Sequence, residues 1–504
     1  PITIASIGVI ALSVFNHVST VETGPHLDGI SALAHAIITG KTYLYTASKA
    51  DGGLAAYLLD ANGTTFHDQI GAGANRGTYG INDLDVVTIN GQDILVPSGS
   101  YDDRLAFHKL DSFGNFNGVT ILGASPSLIG GLDHSVTLQV AGKTFMVSSQ
   151  LGQAGFQAYQ IRDDLSLEHK STWGDTTNTY AGDISALTSA TLDGRSYFFA
   201  ASGQDAGVTC YWMGQWGNVK DRGSAGVSDG LWVSAPSALE TATVDGKLYL
   251  IVGAAGSGTL SVLRVNNWGS LFIEDHVMDA LDTRFAGVSA LETFSIGNRT
   301  FLLAGGSDDG LSLFEMEPGG SLFHIESIPD ELNTTLMNVE VISATVINGE
   351  VHVFVSGSQA GFTQFTIDMG NIANMKSGTD NDDIINGNGQ NDLIAGKDGN
   401  DTLDGMGGDD RIIDGAGVDT MTGGAGADVF VFIDDGRMDT ITDFEAGTDK
   451  IDLRDFPMLY SMGQFDMIQK GYGVLITIGD DRFRIEADSS QLLISDLTTD
   501  DFLF

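Results

Sequence analysis

Short apolar runs and polar turns alternate along the first three-quarters of the chain, and the pattern returns every 51 or 52 residues. The stretch ISALAHAIITGKTYLYTASKADGGLAAYLLDANG, from Ile30, has counterparts at Ile81, Ser135, Ile184, Pro236, Val288 and Val339. Alternating apolar and polar residues flank a tight turn in each copy, which marks an antiparallel hairpin. The turns carry Gly40, Gly91, Gly142, Gly194, Gly246 and Gly349, several in N-G or D-G pairs, and the sixth copy inverts the turn to Gly297-Asn298. A third apolar strand follows a glycine-rich turn. A more variable fourth comes after it, as in GSLFIEDHV and GSLFHIESI.

Four strands per repeat predict a propeller blade, and seven repeats predict seven blades. The seventh repeat stops after its third strand, near Asp368. The segment ALSVFNHVSTVETGPHLDGISAL aligns with the ends of the other repeats. It is therefore expected to supply the missing outer strand and close the ring. ITIASIGVIALSVF could be mistaken for a signal peptide, but it lacks a basic flank and a small-residue cleavage site. The three-strand motif resembles lactonase-type seven-bladed propellers. The first domain is placed at residues 1–372.

The pattern changes at Gly378. Read in nines, the chain gives GTDNDDIIN, GNGQNDLIA, GKDGNDTLD, GMGGDDRII, DGAGVDTMT and GGAGADVFV. The sixth position is always aspartate: Asp383, Asp392, Asp401, Asp410, Asp419 and Asp428. The eighth is always apolar: Ile385, Ile394, Leu403, Ile412, Met421 and Phe430. An acidic, glycine-rich run is ordinarily disordered. A fixed apolar position argues instead for stacked coils with an inner hydrophobic column. Each turn then offers carbonyls and a carboxylate at the coil edge, an oxygen set suited to a hard divalent cation. The run contains no histidine or cysteine, which disfavours zinc and copper.

This repeat resembles the nonapeptide of the RTX family. The resemblance implies a parallel β-roll with about four calcium ions. It implies pairing of each aspartate with the one two turns on: Asp383 with Asp401, Asp392 with Asp410, Asp401 with Asp419, and Asp410 with Asp428. Asp428 would end the series. Also carried over are Asp380, Asp382, Asn391, Asp398, Asn400 and Asp409, with the turn glycines Gly378, Gly387, Gly396, Gly405 and Gly423. The fifth unit departs from the pattern with Asp414 in place of the first glycine.

The segment DVFVFIDDGRMDTITDFEAGTDKIDLRDF resembles the cap of serralysin-type RTX proteins. Its Asp439, Asp443, Asp449 and Asp452 either hold a further calcium or are solvated turn acids. VLITIGDDRFRIE and SDLTTDDFLF match the same C-terminus, which implies an uncleaved type I export signal and the type I secretion machinery as a partner. The resemblance thus places the protein outside, or on the surface of, a Gram-negative bacterium. Residues 373–504 form the second expected domain, and the chain is expected to be all-β.

Charge sharpens this picture. The 504 residues carry a formal charge of −42, which disfavours nucleic acid and anionic membrane as direct partners. The single cysteine, Cys210, cannot form an internal disulfide. No apolar run is long enough for a transmembrane helix. There is no H-E-x-x-H motif for a protease.

On the propeller, Asp85, Glu240 and Glu292 occupy equivalent positions on first strands, which line the axis. They are candidates for a metal or cationic ligand, or for solvated channel lining. Trp216 and Trp268 are equivalent turn residues, suited to stacking on a sugar or a partner protein, or to packing their own turns. Two functions follow. One is a non-enzymatic extracellular protein that binds carbohydrate or protein, or assembles with itself. The other is a lactonase-like hydrolase at the axial opening.

Overall fold

The tight turns of the repeat close hairpins because their central residues take left-handed backbone. Asn90 and Gly91 have φ of 51° and 74°, and Asp193 and Gly194 have 49° and 72°. Two positive φ values in succession give the type I′ turn that matches strand twist. In the inverted sixth turn only the first residue, Gly297, is left-handed. Glycine at that place is what a type II′ turn requires.

A computed structural model describes residues 13–503 except 61–62, 74–75, 77, 100–104, 123–130, 281–282, 318, 371, 373, 454–455, 457–458, 460 and 488–490. The protein is all-β, with a seven-bladed propeller and a parallel β-solenoid of about four turns at residues 375–452. Two compact units divide at Asp368 and Met369.

Each blade is a four-stranded antiparallel sheet in sequence order, as in Ile184–Leu192, Arg195–Ser202, Gly207–Met213 and Val219–Gly226. Second and third strands are buried on both faces, so their apolar runs are nearly continuous. The exception to sequence order is the last sheet. There Phe15–Val21 pairs antiparallel with Phe362–Ile367, outside Glu350–Ser356 and Val341–Ile347. Its register breaks between His17 and Ser19. The outer pairs of the other six blades break register at the corresponding place, for example between Cys210 and Tyr211. The shared bulge bends every outer strand alike. Residues 2–12 of the apolar N-terminal segment lie outside the described residues.

Serine and threonine side chains latch neighbouring first strands together. Ser31 Oγ donates to the Ile81 carbonyl, and Thr293 Oγ1 donates to the Thr241 carbonyl at 3.0 Å. Between the blades lie aromatic and aliphatic cores, such as Tyr57, Phe354 and Phe362 with Leu27 and Ile30 between the seventh and first blades.

In the second unit, strands alternate between two sheets. One runs Asn374–Ser377, Asp392–Ala395, Arg411–Ile413, Val429–Val431, Lys450–Asp452, Phe502–Leu503, all parallel. The other runs Ile384–Asn388, Thr402–Met406, Thr420–Thr422, Met438–Ile441, then the cap hairpin Asp481–Ile485 and Val474–Ile478, and ends on Asp466–Gln469. The eighth-position side chains form the core column between them. Ile394, Leu403, Ile412, Met421 and Phe430 are fully buried, while Ile385 at the open end is half-buried. Phe432, Ile441, Ile451, Phe483 and Phe502 continue the column into the cap.

Candidate calcium edges and the propeller axis

The sixth-position aspartates turn inward at the roll's edges and hydrogen-bond in two ladders. Asp383 N donates to Asp401 Oδ1 at 2.7 Å, Asp401 N to Asp419 Oδ1 at 2.6 Å, and Asp419 N to Asp439 Oδ1 at 2.9 Å. On the other edge Asp392 N reaches Asp410 Oδ1 at 2.7 Å, Asp410 N reaches Asp428 Oδ1 at 2.8 Å, and Asp428 N reaches Asp449 Oδ1 at 3.0 Å. Aspartates two turns apart are thus in direct hydrogen-bond contact. The ladders do not stop with the repeat, however. Asp428 is followed by Asp449, and so is not terminal.

From Asp401 and Asp410 onward, one oxygen of each aspartate is spent in its ladder. The other oxygens of Asp401, Asp410 and Asp419 are buried without a hydrogen-bond partner. Burying an unpaired carboxylate oxygen is costly unless a cation compensates it. The first-position glycines make the room. A Cβ on Gly396 would lie 2.5 Å from Asp401 Oδ2 and 2.2 Å from the Asp414 carbonyl oxygen. On Gly405 it would lie 2.2 Å from Asp410 Oδ2 and 2.5 Å from the Gly423 carbonyl. Carboxylate and carbonyl oxygens thus face the same gap between turns, the donor set that calcium favours. Among the described residues no three histidine, cysteine, aspartate or glutamate side chains come together to hold a metal. The roll fits calcium through paired carboxylates completed by backbone carbonyls.

The fifth-position residues do something different. Asp382 Oδ1 accepts from Asn400 N at 2.9 Å, Asn391 Oδ1 from Asp409 N at 2.8 Å, and Asp409 Oδ1 from Ala427 N at 2.8 Å. These side chains are exposed and staple successive turns. Asp380 and Asp398 are also exposed.

The four cap aspartates do not converge. Asp439 and Asp449 extend opposite ladders. Asp443 accepts from Gly423 N and Gly424 N, and Asp452 pairs with Arg411 at 2.7 Å.

Burial raises the carboxyl pKa values along both edges, and neighbouring aspartates add to the effect. Asp410 and Asp439 are pushed up to about 7, and Asp419 and Asp428 to about 6.

At the propeller axis, a cavity of about 660 Å³ is lined by the first strands, Asp85 and Glu240 among them. Burial holds Asp85 up at about 6, although Asp85 Oδ2 accepts from Thr137 N at 2.9 Å. Burial also takes Glu240 to about 7. Burial, then the repulsion of Glu240, hold Glu292 well above the ordinary range. Glu240 and Glu292 are therefore brought together, whereas Asp83 is the charge that acts on Asp85. His134, missed as a site residue by the sequence reading, stands at the cavity with Nδ1 3.6 Å from Asp83. Burial opposes its charge, but Asp83 and Asp133 outweigh burial and raise its pKa.

The paired glutamates give a testable sign. A raised folded pKa penalises the folded state only where the group must ionise, so the penalty is absent below the ordinary value of 4.5 and grows above it. Glu292→Gln is therefore expected to raise the melting temperature by several degrees at pH 8 and hardly at all at pH 4. An unchanged melting temperature at pH 8 would refute the repulsion.

Trp216 and Trp268 lie in third-to-fourth-strand turns on the opposite rim, 69% and 66% exposed. Each is backed by a cation from the preceding blade. Lys143 Nζ lies 4.5 Å from the Trp216 ring, and Arg195 lies 4.9 Å from that of Trp268. The cations hold the rings, which remain largely open to solvent.

Residues 377–411 and 395–430 match the family model of the RTX calcium-binding nonapeptide repeat, in four copies. No curated protein matches the chain. Solved structures similar to the propeller include a functionally unknown protein from Desulfotomaculum acetoxidans DSM 771, at 13% identity and TM-score 0.44, covering 63% of this chain and 94% of that one. The Dos1 propeller is 10% identical with TM-score 0.43, covering 64% and 75%. A protein of Bacteroides uniformis ATCC 8492 named after 6-phosphogluconolactonase is 12% identical with TM-score 0.46, covering 62% and 88%.

Proposed function

We propose that this is a secreted, calcium-dependent binding protein, in which calcium folds the RTX roll outside the cell and the propeller presents the ligand-binding surface. The carrying observation is the set of buried, unpartnered carboxylate oxygens in register along the roll edges. Where calcium is scarce, these charges oppose folding and leave the chain able to thread a type I exporter. Where calcium is abundant, binding to the folded form supplies stability. The terminal Asp500, Asp501, Phe502 and Leu503 belong to the proposed export signal, and Phe504 lies outside the described residues. No helix among the described residues is long and apolar enough to cross a membrane.

For the propeller, the two cation-backed indoles support binding of an extracellular carbohydrate or protein, or of a second copy. Binding of the calcium-loaded protein to a glycan array is expected to fall at least tenfold in the Trp216→Ala/Trp268→Ala double variant. Glycan binding that is unaffected by the double substitution would remove the indoles from the site. The second reading, a lactonase-like hydrolase, rests on the His134–Asp83 pair at the axial cavity. Lactone turnover that is abolished in His134→Ala would establish it.

A further inference from the structure

Asp414 is the one residue that breaks the repeat at its most constrained position. Every other first position from Gly378 to Gly423 is glycine, where a Cβ would crowd the aspartate five residues on. Asp414 puts a carboxylate there. It is 1% exposed, and its Oδ2 has no hydrogen-bond partner. Oδ1 is held in place by Gly415 N at 2.6 Å and Ile433 N at 3.2 Å.

The turn facing it explains how the extra carboxylate fits. Strand Arg411–Ile413 pairs with Val429–Val431, so turn 414–419 lies against turn 432–438. Successive aspartates on this edge are 18 residues apart until Asp419, and Asp439 comes 20 residues later. The two added residues lengthen the facing turn. This last interval therefore holds the buried, unpartnered Asp414 Oδ2 together with the carboxylate of Asp439, which reaches back to accept from Asp419 N. Asp439 and Asp419 are charged groups that press on Asp414. The turn is also tied to the cap, because Asp435 N and Gly436 N both donate to Asp481 Oδ1 in the cap hairpin.

On the reading that the roll takes calcium at its repeat intervals, the geometry points to a further calcium site of different composition, between turns 414–419 and 432–438. Asp414 is a direct ligand there, in a place where the repeat offers only glycine. The site clasps the cap to the roll. Asp414 adds its carboxylate to that of the ladder aspartate Asp439, and with backbone carbonyls completing the set the interval is richer in charge than those whose first position is glycine. It is therefore expected to fill at lower calcium than they do.

Native mass spectrometry of the full chain counts the ions. Wild type is expected to carry one more calcium than Asp414→Asn. Asp414→Gly, which restores the repeat residue, is expected to lose the same ion while staying folded at saturating calcium. Hydrogen exchange at limiting calcium should show residues 433–441 and 474–485 losing protection in both variants before the repeats do. If wild type and both folded variants carry equal numbers of ions, Asp414 is not a ligand and only the repeat sites stand. If wild type carries no calcium at all, the repeat reading fails and this site fails with it.

Discussion

Chelating calcium at pH 7.5 is expected to abolish hydrogen-exchange protection across residues 378–452 of the full chain, while the propeller strands stay protected. Acidifying the calcium-free protein to about pH 4 is expected to restore part of that protection. Both follow from the same carboxylates. Burial and mutual repulsion raise Asp410 and Asp439 to about 7, and Asp419 and Asp428 to about 6, from an ordinary value of 3.8. For an acid whose folded pKa is raised, the cost of ionisation is absent below the unfolded pKa. It grows as pH rises towards the folded value. The calcium-free roll is therefore most stable below about pH 4 and loses stability between pH 4 and 7. Calcium needs the ionised form, so its binding strengthens with rising pH through the same window. Protection that is indifferent to calcium at pH 7.5, or a further loss on acidification, would sink the account.

Removing residues 1–21 should cost the propeller more than ten degrees of melting temperature, or its solubility. The deletion strips Phe15–Val21 from Phe362–Ile367, a strand buried along its whole length. Phe15 is 6% exposed and meets Phe365 edge-on at 6.0 Å. Burying one such side chain contributes about 1.5–3 kcal/mol, and each ladder hydrogen bond about 1 kcal/mol. A loss of about 5 kcal/mol shifts the midpoint by roughly 2–4 °C per kcal/mol in a large domain. The deletion also leaves an open, apolar sheet edge, which invites aggregation. The check is differential scanning calorimetry of both proteins in saturating calcium. Equal transitions would mean that the ring does not depend on this strand.

Much of this protein is legible in its sequence because both units are periodic. Asn90-Gly91 and Asp193-Gly194 state a left-handed turn wherever they occur, and six such turns at a fixed spacing state a blade. The aspartates at every ninth residue likewise state their ladder, since stacked coils must place equivalent residues two turns apart in contact. Where the period breaks, reading fails. Asp428 looks like the end of a series because the nine-residue period stops there. Yet Asp439 and Asp449 continue the ladders at spacings of 20 and 21 residues, since hydrogen bonding follows the coil's edge and tolerates a longer turn. The cap acids look like one cluster in sequence and lie on two edges in space.

At the axis the same limit applies. Equivalent positions on first strands suggested that Asp85, Glu240 and Glu292 share a site. Glu240 and Glu292 belong to neighbouring blades and repel, while Asp85, in blade two, bonds to the backbone of blade three. His134 and the cations beneath Trp216 and Trp268 gave no sequence signal, because each acts on the blade beside its own.

The sequence alone determined the repeat length, the turns, the strand content, the apolar column and the oxygen chemistry of the roll. All of these depend on φ preferences and periodic burial, which are local along the chain. The closure of the ring and of the coils decided the rest: which carboxylates lost their water, which acquired a partner, and which, like Asp414 Oδ2, were left without one. Desolvation and pairing depend on what the fold brings within a few ångströms, and residues as far apart as Phe15 and Ile367 do that here.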